Sequence, residues 1–194
     1  MKKLLSIASI LILAVSTTAC INNLAVQDLN KKALEFAQQG DYTQAIERLK
    51  SSLDLEPSMF ETHYNLAVVY TKAEKYPEAI EEYIKVVEMN PNLTEAYVSY
   101  ATTLNNLAVD MKKGKYKLDE TNKLYAVDEK DLLSADVDKK YTPSTVEKEY
   151  IQNLYKTAIE TYEKYLELAP NAQDKAEVEQ QITTIQGYLD EDNK

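Results

Sequence analysis

The sequence predicts an all-α fold: a solenoid of about three helix-turn-helix repeats closed by a C-terminal capping helix, with the third repeat split by a long insertion. Three observations carry this. Self-comparison at a shift of 34 residues lays Tyr42-Thr-Gln-Ala45-Ile46-Glu47 on Tyr76-Pro-Glu-Ala79-Ile80-Glu81, and Pro57 on Pro91. Three glycines and five prolines in 194 residues are too few for a turn-rich sandwich or barrel, while Ala, Leu, Glu, Lys and Gln abound. Apolar residues recur at steps of three and four, as in Val178, Ile182, Ile185 and Leu189, which makes one stripe on a helix.

Residues 1–19 read as an export signal. Met1-Lys2-Lys3 is a basic start, Leu4 to Val15 is an apolar stretch, and Ser16-Thr17-Thr18-Ala19 is a small-residue run before Cys20. The apolar stretch is shorter than the ~20 residues that cross a bilayer. Cys20 is the chain's only cysteine, so no disulfide can form within the chain. Thr17-Thr18-Ala19-Cys20 resembles a bacterial lipobox, which implies cleavage before Cys20 and lipidation of its thiol. Thr17 stands where a larger aliphatic residue is usual, and ordinary signal peptidase would cut the same bond, leaving a free thiol. Ile21 follows the cysteine in place of Asp, which implies sorting to the outer membrane, facing the periplasm, in a cell with two membranes, and otherwise the outer face of the cell membrane. Residues 20–25 form a short linker, so the repeats are expected close to the membrane.

The first repeat is expected over 26–59, with Leu29, Ala33, Phe36, Gly40, Tyr42, Ala45, Leu49 and Pro57 at its signature places. The second, 60–93, holds Leu66, Ala67, Tyr70, Tyr76, Ala79, Tyr83 and Pro91. Small residues fall where helices cross, rings fill the space between helices, and each proline ends the helix before it. This 34-residue pattern resembles the tetratricopeptide repeat, which implies a right-handed superhelix whose first helices line a concave groove. An isolated repeat would leave an apolar face in water, and stacking removes it.

The third repeat opens at 94 with Tyr97, Tyr100, Ala101 and Leu104, but its second-helix signature, Tyr155-Lys-Thr-Ala158-Ile159-Glu160, arrives late and closes at Pro170. Repeat three therefore spans 94–170, with an inserted segment at about 110–147. Its first helix should continue two turns to Gly114, and Ser144-x-x-Glu147 resembles a capping box that starts the second helix about three turns early. The tip, 114–144, reads either as disordered or as a partner-binding element. Residues 171–194 form the capping helix and tail.

No constellation of reactive groups is legible, so no catalytic residue, metal site or cofactor is assigned. There is one histidine, His63, at a ring position of the repeat, where packing is expected. The net charge of −10 opposes sequence-independent nucleic-acid binding, and no small-molecule substrate is expected. What the repeat resemblance does imply is a peptide groove lined by Lys31, Leu34, Gln38, Glu61, Tyr64, Asn65, Val68, Lys72, Val98, Thr102, Asn105 and Asn106. One subtype of the family clamps a C-terminal carboxylate with Lys and Arg from three repeats plus one Asn. Asn65 matches that Asn, whereas Asn30, Leu34, Glu95 and Ser99 replace its partners, and a glutamate repels an anion. The functional expectation is a membrane-anchored, non-catalytic scaffold that binds a peptide or subunit of a cell-envelope assembly. The alternative is a structural protein that self-associates through the insertion.

Overall fold

The computed structural model describes residues 23–134 and 141–192; the export signal and Cys20 lie outside them. The chain divides between Ala73 and Glu74 into two compact units.

In the first unit α1 occupies 23–38, beginning inside the segment expected as linker, and is followed by α2 (Tyr42–Leu55) and α3 (Phe60–Lys72). The α1 to α2 turn is built on Gly40, whose φ of 79° suits a residue without a Cβ. The Asp41 N–H bonds to the Phe36 carbonyl and the Gly40 N–H to the Ala37 carbonyl, closing a Schellman motif. Asp41 then caps α2, its side chain accepting from the Gln44 N–H at 3.0 Å. Val26 and Ala33 of α1, Ala45, Ile46 and Leu49 of α2, and Leu66, Ala67, Val69 and Tyr70 of α3 are buried. The alanines at the crossings leave no exposed surface. His63 is buried, and its Nε2 lies 3.0 Å from the Pro57 carbonyl; because a carbonyl only accepts, Nε2 carries the proton.

The second unit contains α4 (Tyr76–Met89), α5 (Thr94–Lys112), β1 (Tyr116–Leu118), β2 (Leu124–Ala126), α6 (Glu129–Ser134), α7 (Thr145–Leu168) and α8 (Lys175–Asp192). Its core joins Leu104, Leu107, Ala108 and Met111 of α5 to Ile151, Leu154, Tyr155 and Ala158 of α7, with Val178, Ile182 and Ile185 of α8 covering the far side. Each fully buried Leu or Ile contributes about 1.5–3 kcal/mol. Helices α5 and α7 run antiparallel, since Thr102 meets Tyr162 while Lys112, ten residues on, lies over the ring of Tyr155. Helix α5 has 19 residues against 13 in α3, and α7 has 24 against 14 in α4. The surplus is about 1.7 and 2.8 turns. These extra turns extend the helix pair beyond the length of a standard repeat.

The connection from α5 to α7 is ordered through residue 134, so full disorder of the tip is corrected. Gly114, at φ 78°, ends α5 with a second Schellman motif: Lys115 N–H to Asp110 carbonyl, Gly114 N–H to Met111 carbonyl. Strands β1 and β2 then pair antiparallel, Lys117 opposite Tyr125. Their turn is held by Asp119, whose side chain accepts from the Thr121 N–H (2.8 Å), the Thr121 hydroxyl (2.6 Å) and the Lys123 N–H (2.9 Å), while Asn122 takes the left-handed conformation at φ 61°. Alternation decides what faces in: Tyr116, Leu118 and Leu124 pack against the core.

Two polar clusters fasten the hairpin. At its base Lys115 bridges Glu74 (3.1 Å) and buried Asp110 (3.2 Å), and the Tyr116 hydroxyl donates to the Glu74 carbonyl. At its flank buried Glu147 completes the capping box, receiving the Ser144 N–H at 2.8 Å while its own N–H donates to Ser144 Oγ at 3.2 Å. Glu147 also accepts from the Tyr141 hydroxyl (2.7 Å) and the Leu118 N–H (3.3 Å). Burial alone would push its carboxyl up, but the hydrogen bonds from Ser144, Tyr141 and Leu118 outweigh it and hold the group below the usual range.

Candidate groove surfaces

The residues expected to line a groove fall on α1 and α3 in the first unit and on α5 in the second. In the first unit Lys31, Gln38, Glu61 and Lys72 are exposed, Leu34 keeps 44% of its surface in water, and Tyr64, Asn65 and Val68 are half-buried. Asn65 is less free than the sequence implies. Its Nδ2 donates to Asn30 Oδ1 at 3.1 Å. Asn30 Nδ2 lies within hydrogen-bond distance of Ser52 Oγ (2.8 Å), Thr62 Oγ1 (2.9 Å) and the Val26 carbonyl (3.0 Å). This polar knot ties α1, α2 and α3 together, and Asn30 is its hub instead of a groove residue.

In the second unit Val98, Thr102, Asn105 and Asn106 are all half-buried. Thr102 is corrected from ligand contact to helix tie: its hydroxyl lies 2.8 Å from the Val98 carbonyl and 2.8 Å from the Tyr162 hydroxyl. The Thr102 proton goes to the carbonyl, so Tyr162 donates to Thr102. Burial raises the Tyr162 hydroxyl above its ordinary value and keeps that proton in place. Asn105 differs. Its Oδ1 is buried and has no hydrogen-bond partner among the described residues. Such an atom costs about 1–3 kcal/mol until something supplies a partner.

A depression of about 430 Å³ lined by Lys32, Glu35, Phe36, Gln39 and Arg48 includes none of the groove residues. Among the described residues no group of three His, Cys, Asp or Glu is placed to hold a metal ion. No described helix is long and apolar enough to cross a membrane.

The comparisons with known proteins agree with the helix pairs. Residues 36–102 match the model of the family described as Tetratricopeptide repeat. The chain carries tetratricopeptide repeats. Similar tetratricopeptide proteins include the Hsp70-Hsp90 organising protein of Plasmodium falciparum (isolate 3D7), 27% identical over 85 residues, a match covering 42% of this chain and 15% of that one. Photosystem I assembly protein Ycf3 of Synechococcus elongatus is 30% identical over 99 residues, covering 44% of this chain and 53% of that one. The chain thus spans about half, or much less, of the length of these relatives. Among solved tetratricopeptide structures, the first repeat domain of Spaghetti (RPAP3) bound to the HSP90 peptide SRMEEVD superposes with a TM-score of 0.56 at 18% identity, covering 86% of this chain and 94% of that one. The TPR2B domain of yeast Sti1, in its Hsp70 complex, gives 0.58 at 15% identity, with 85% and 98% covered. At these identities the likeness establishes the fold: an all-α tetratricopeptide solenoid of helix pairs followed by a C-terminal helix.

Proposed function

We propose that the chain is a non-catalytic interaction module whose groove faces hold an extended peptide or a subunit of a larger assembly. One observation carries this beyond family membership: the carboxamide oxygen of Asn105 is buried without a donor on a face that repeat proteins present to ligands. A peptide backbone offers the missing N–H and a carbonyl for the amide nitrogen, so binding would relieve a cost that folding leaves in place. Anchoring at the cell envelope through lipid on Cys20 completes the proposal and rests on the signal layout of residues 1–20.

Asn105→Leu tests the groove. Removing the stranded polar atoms without removing volume should leave the free protein as stable or up to about 1 kcal/mol more stable. Recovery of partners crosslinked in the native cell should fall at the same time. A variant that melts lower and keeps all its partners would show that Asn105 serves the fold alone. Cys20→Ser tests the anchor separately, with the protein expected to leave the membrane fraction; retention through a high-salt wash would place the anchor elsewhere.

A further inference from the structure

Asn65 presents a defined hydrogen-bonding polarity, and the protein itself sets it. The argument starts at the Val26 carbonyl, which can only accept, so the Asn30 atom 3.0 Å from it must be the donor Nδ2. Asn30 Oδ1 therefore points the other way and requires a donor. The Asn65 atom 3.1 Å from it is then Nδ2. With its nitrogen committed to Asn30, Asn65 turns its carboxamide oxygen outward, as an acceptor.

Glu61 lies four residues earlier on α3 and is exposed, so its carboxylate shares the face of Asn65 one turn away. The face thus offers two acceptors in succession. Its cations are placed differently: Lys31 leans toward Glu35 at 3.9 Å, and Lys72 lies in the last turn of α3, where a positive charge answers the helix dipole. The net charge of −10 adds a long-range attraction for cations.

We infer that the groove face of the first unit selects a Lys or Arg side chain of an extended peptide, received by Glu61 and Asn65 Oδ1, and rejects a ligand that brings a carboxylate to that place. The inference rests on the peptide-groove reading above and adds the chemistry of the ligand. An ammonium or guanidinium donates to both oxygens, whereas a carboxylate would face two acceptors and a like charge.

Fluorescence anisotropy with two labelled peptides tests it: SRMEEVD, the peptide carried by the RPAP3 domain, and its charge-inverted counterpart SRMKKVK with an amidated C terminus. The basic peptide is expected to bind and SRMEEVD to fail. Glu61→Gln should weaken the basic peptide about tenfold, the size of one charged hydrogen bond, while Glu47→Gln, which removes an equal exposed charge on α2, should leave binding unchanged. Equal losses from Glu61→Gln and Glu47→Gln would reduce the effect to net charge and overturn the site. Binding of SRMEEVD in preference would overturn the inference and leave the peptide groove standing. Failure of both peptides at millimolar concentration would sink the inference, and Asn105→Leu crosslinking would then judge the groove on its own. Side-chain amide exchange by NMR reads the polarity directly: slowed exchange of the Asn65 NH₂ protons is expected, and exchange at the rate of an exposed asparagine would refute the argument at its first step.

Discussion

Replacing Gly114 with alanine should cost the second unit more than a left-handed residue alone would. The backbone at φ 78° charges any residue with a Cβ about 1–2 kcal/mol. Space adds a second cost, because a Cβ at this position would stand 2.7 Å from Cγ of Tyr141, inside van der Waals contact. Tyr141 would have to shift, and its hydroxyl is the donor to Glu147 at 2.7 Å, a bond to a charged group worth about 1.5–3 kcal/mol. The total expected is about 3–5 kcal/mol. Urea unfolding followed by circular dichroism measures it, and a double-mutant cycle isolates the contact. In a Tyr141→Ala background nothing blocks the new methyl, so Gly114→Ala should cost only the backbone part. Equal costs in both backgrounds would mean that the ring does not rest on Gly114 and that the return segment at 141 is not clamped to the end of α5. Gly40 supplies a control, since it has a φ of 79° and nothing within 4 Å of an added Cβ.

Ala79→Leu should destabilise the fold by about 1–3 kcal/mol, because Ala79 is fully buried and four added carbons minus one have no space; a shift in melting temperature no larger than that of a surface substitution would contradict the packing. Glu147→Gln should lower stability at neutral pH. The folded carboxyl titrates below its ordinary 4.5, so its contribution is complete above that value and is lost as pH falls through the lower, folded value. Parent and variant melting temperatures are therefore expected to converge between about pH 4.5 and 3, and a constant difference would refute the assignment.

The repeat fold was legible because its signals are periodic and local. Alanines at helix crossings, prolines after helix ends, and Gly40 and Gly114 at left-handed turns each state a backbone requirement in one residue. The capping box of Ser144 and Glu147 was legible for the same reason. The β-hairpin was not read, since three-residue strands give almost no alternation to count. In retrospect Tyr116-Lys-Leu118 and Leu124-Tyr-Ala126, separated by Asp119 and Asn122, do carry the pattern of a short hairpin. Polar ties between distant residues left no trace in the sequence at all. Thr102 and Tyr162 are 60 residues apart, and Asn65 reaches back 35 residues to Asn30. For that reason Asn65 belongs to both the fold and the groove surface, and truncating it strands Asn30 Oδ1. A clean separation of binding from folding has to rest on Glu61 and Asn105.

The antiparallel course of α5 and α7 has a consequence for chain entropy. The connection between them, 113–144, has 32 residues where the turn from α3 to α4, 73–75, has three. Loop-closure cost grows only with the logarithm of length, about 0.6 kcal/mol for each doubling, so the longer connection adds roughly 2 kcal/mol. Burial of Tyr116 and partial burial of Leu118 and Leu124 offset a cost of that size. Since both ends of the pair open toward the same side, the inserted chain could be lengthened, shortened or exchanged for another sequence with little strain on the repeats beneath it.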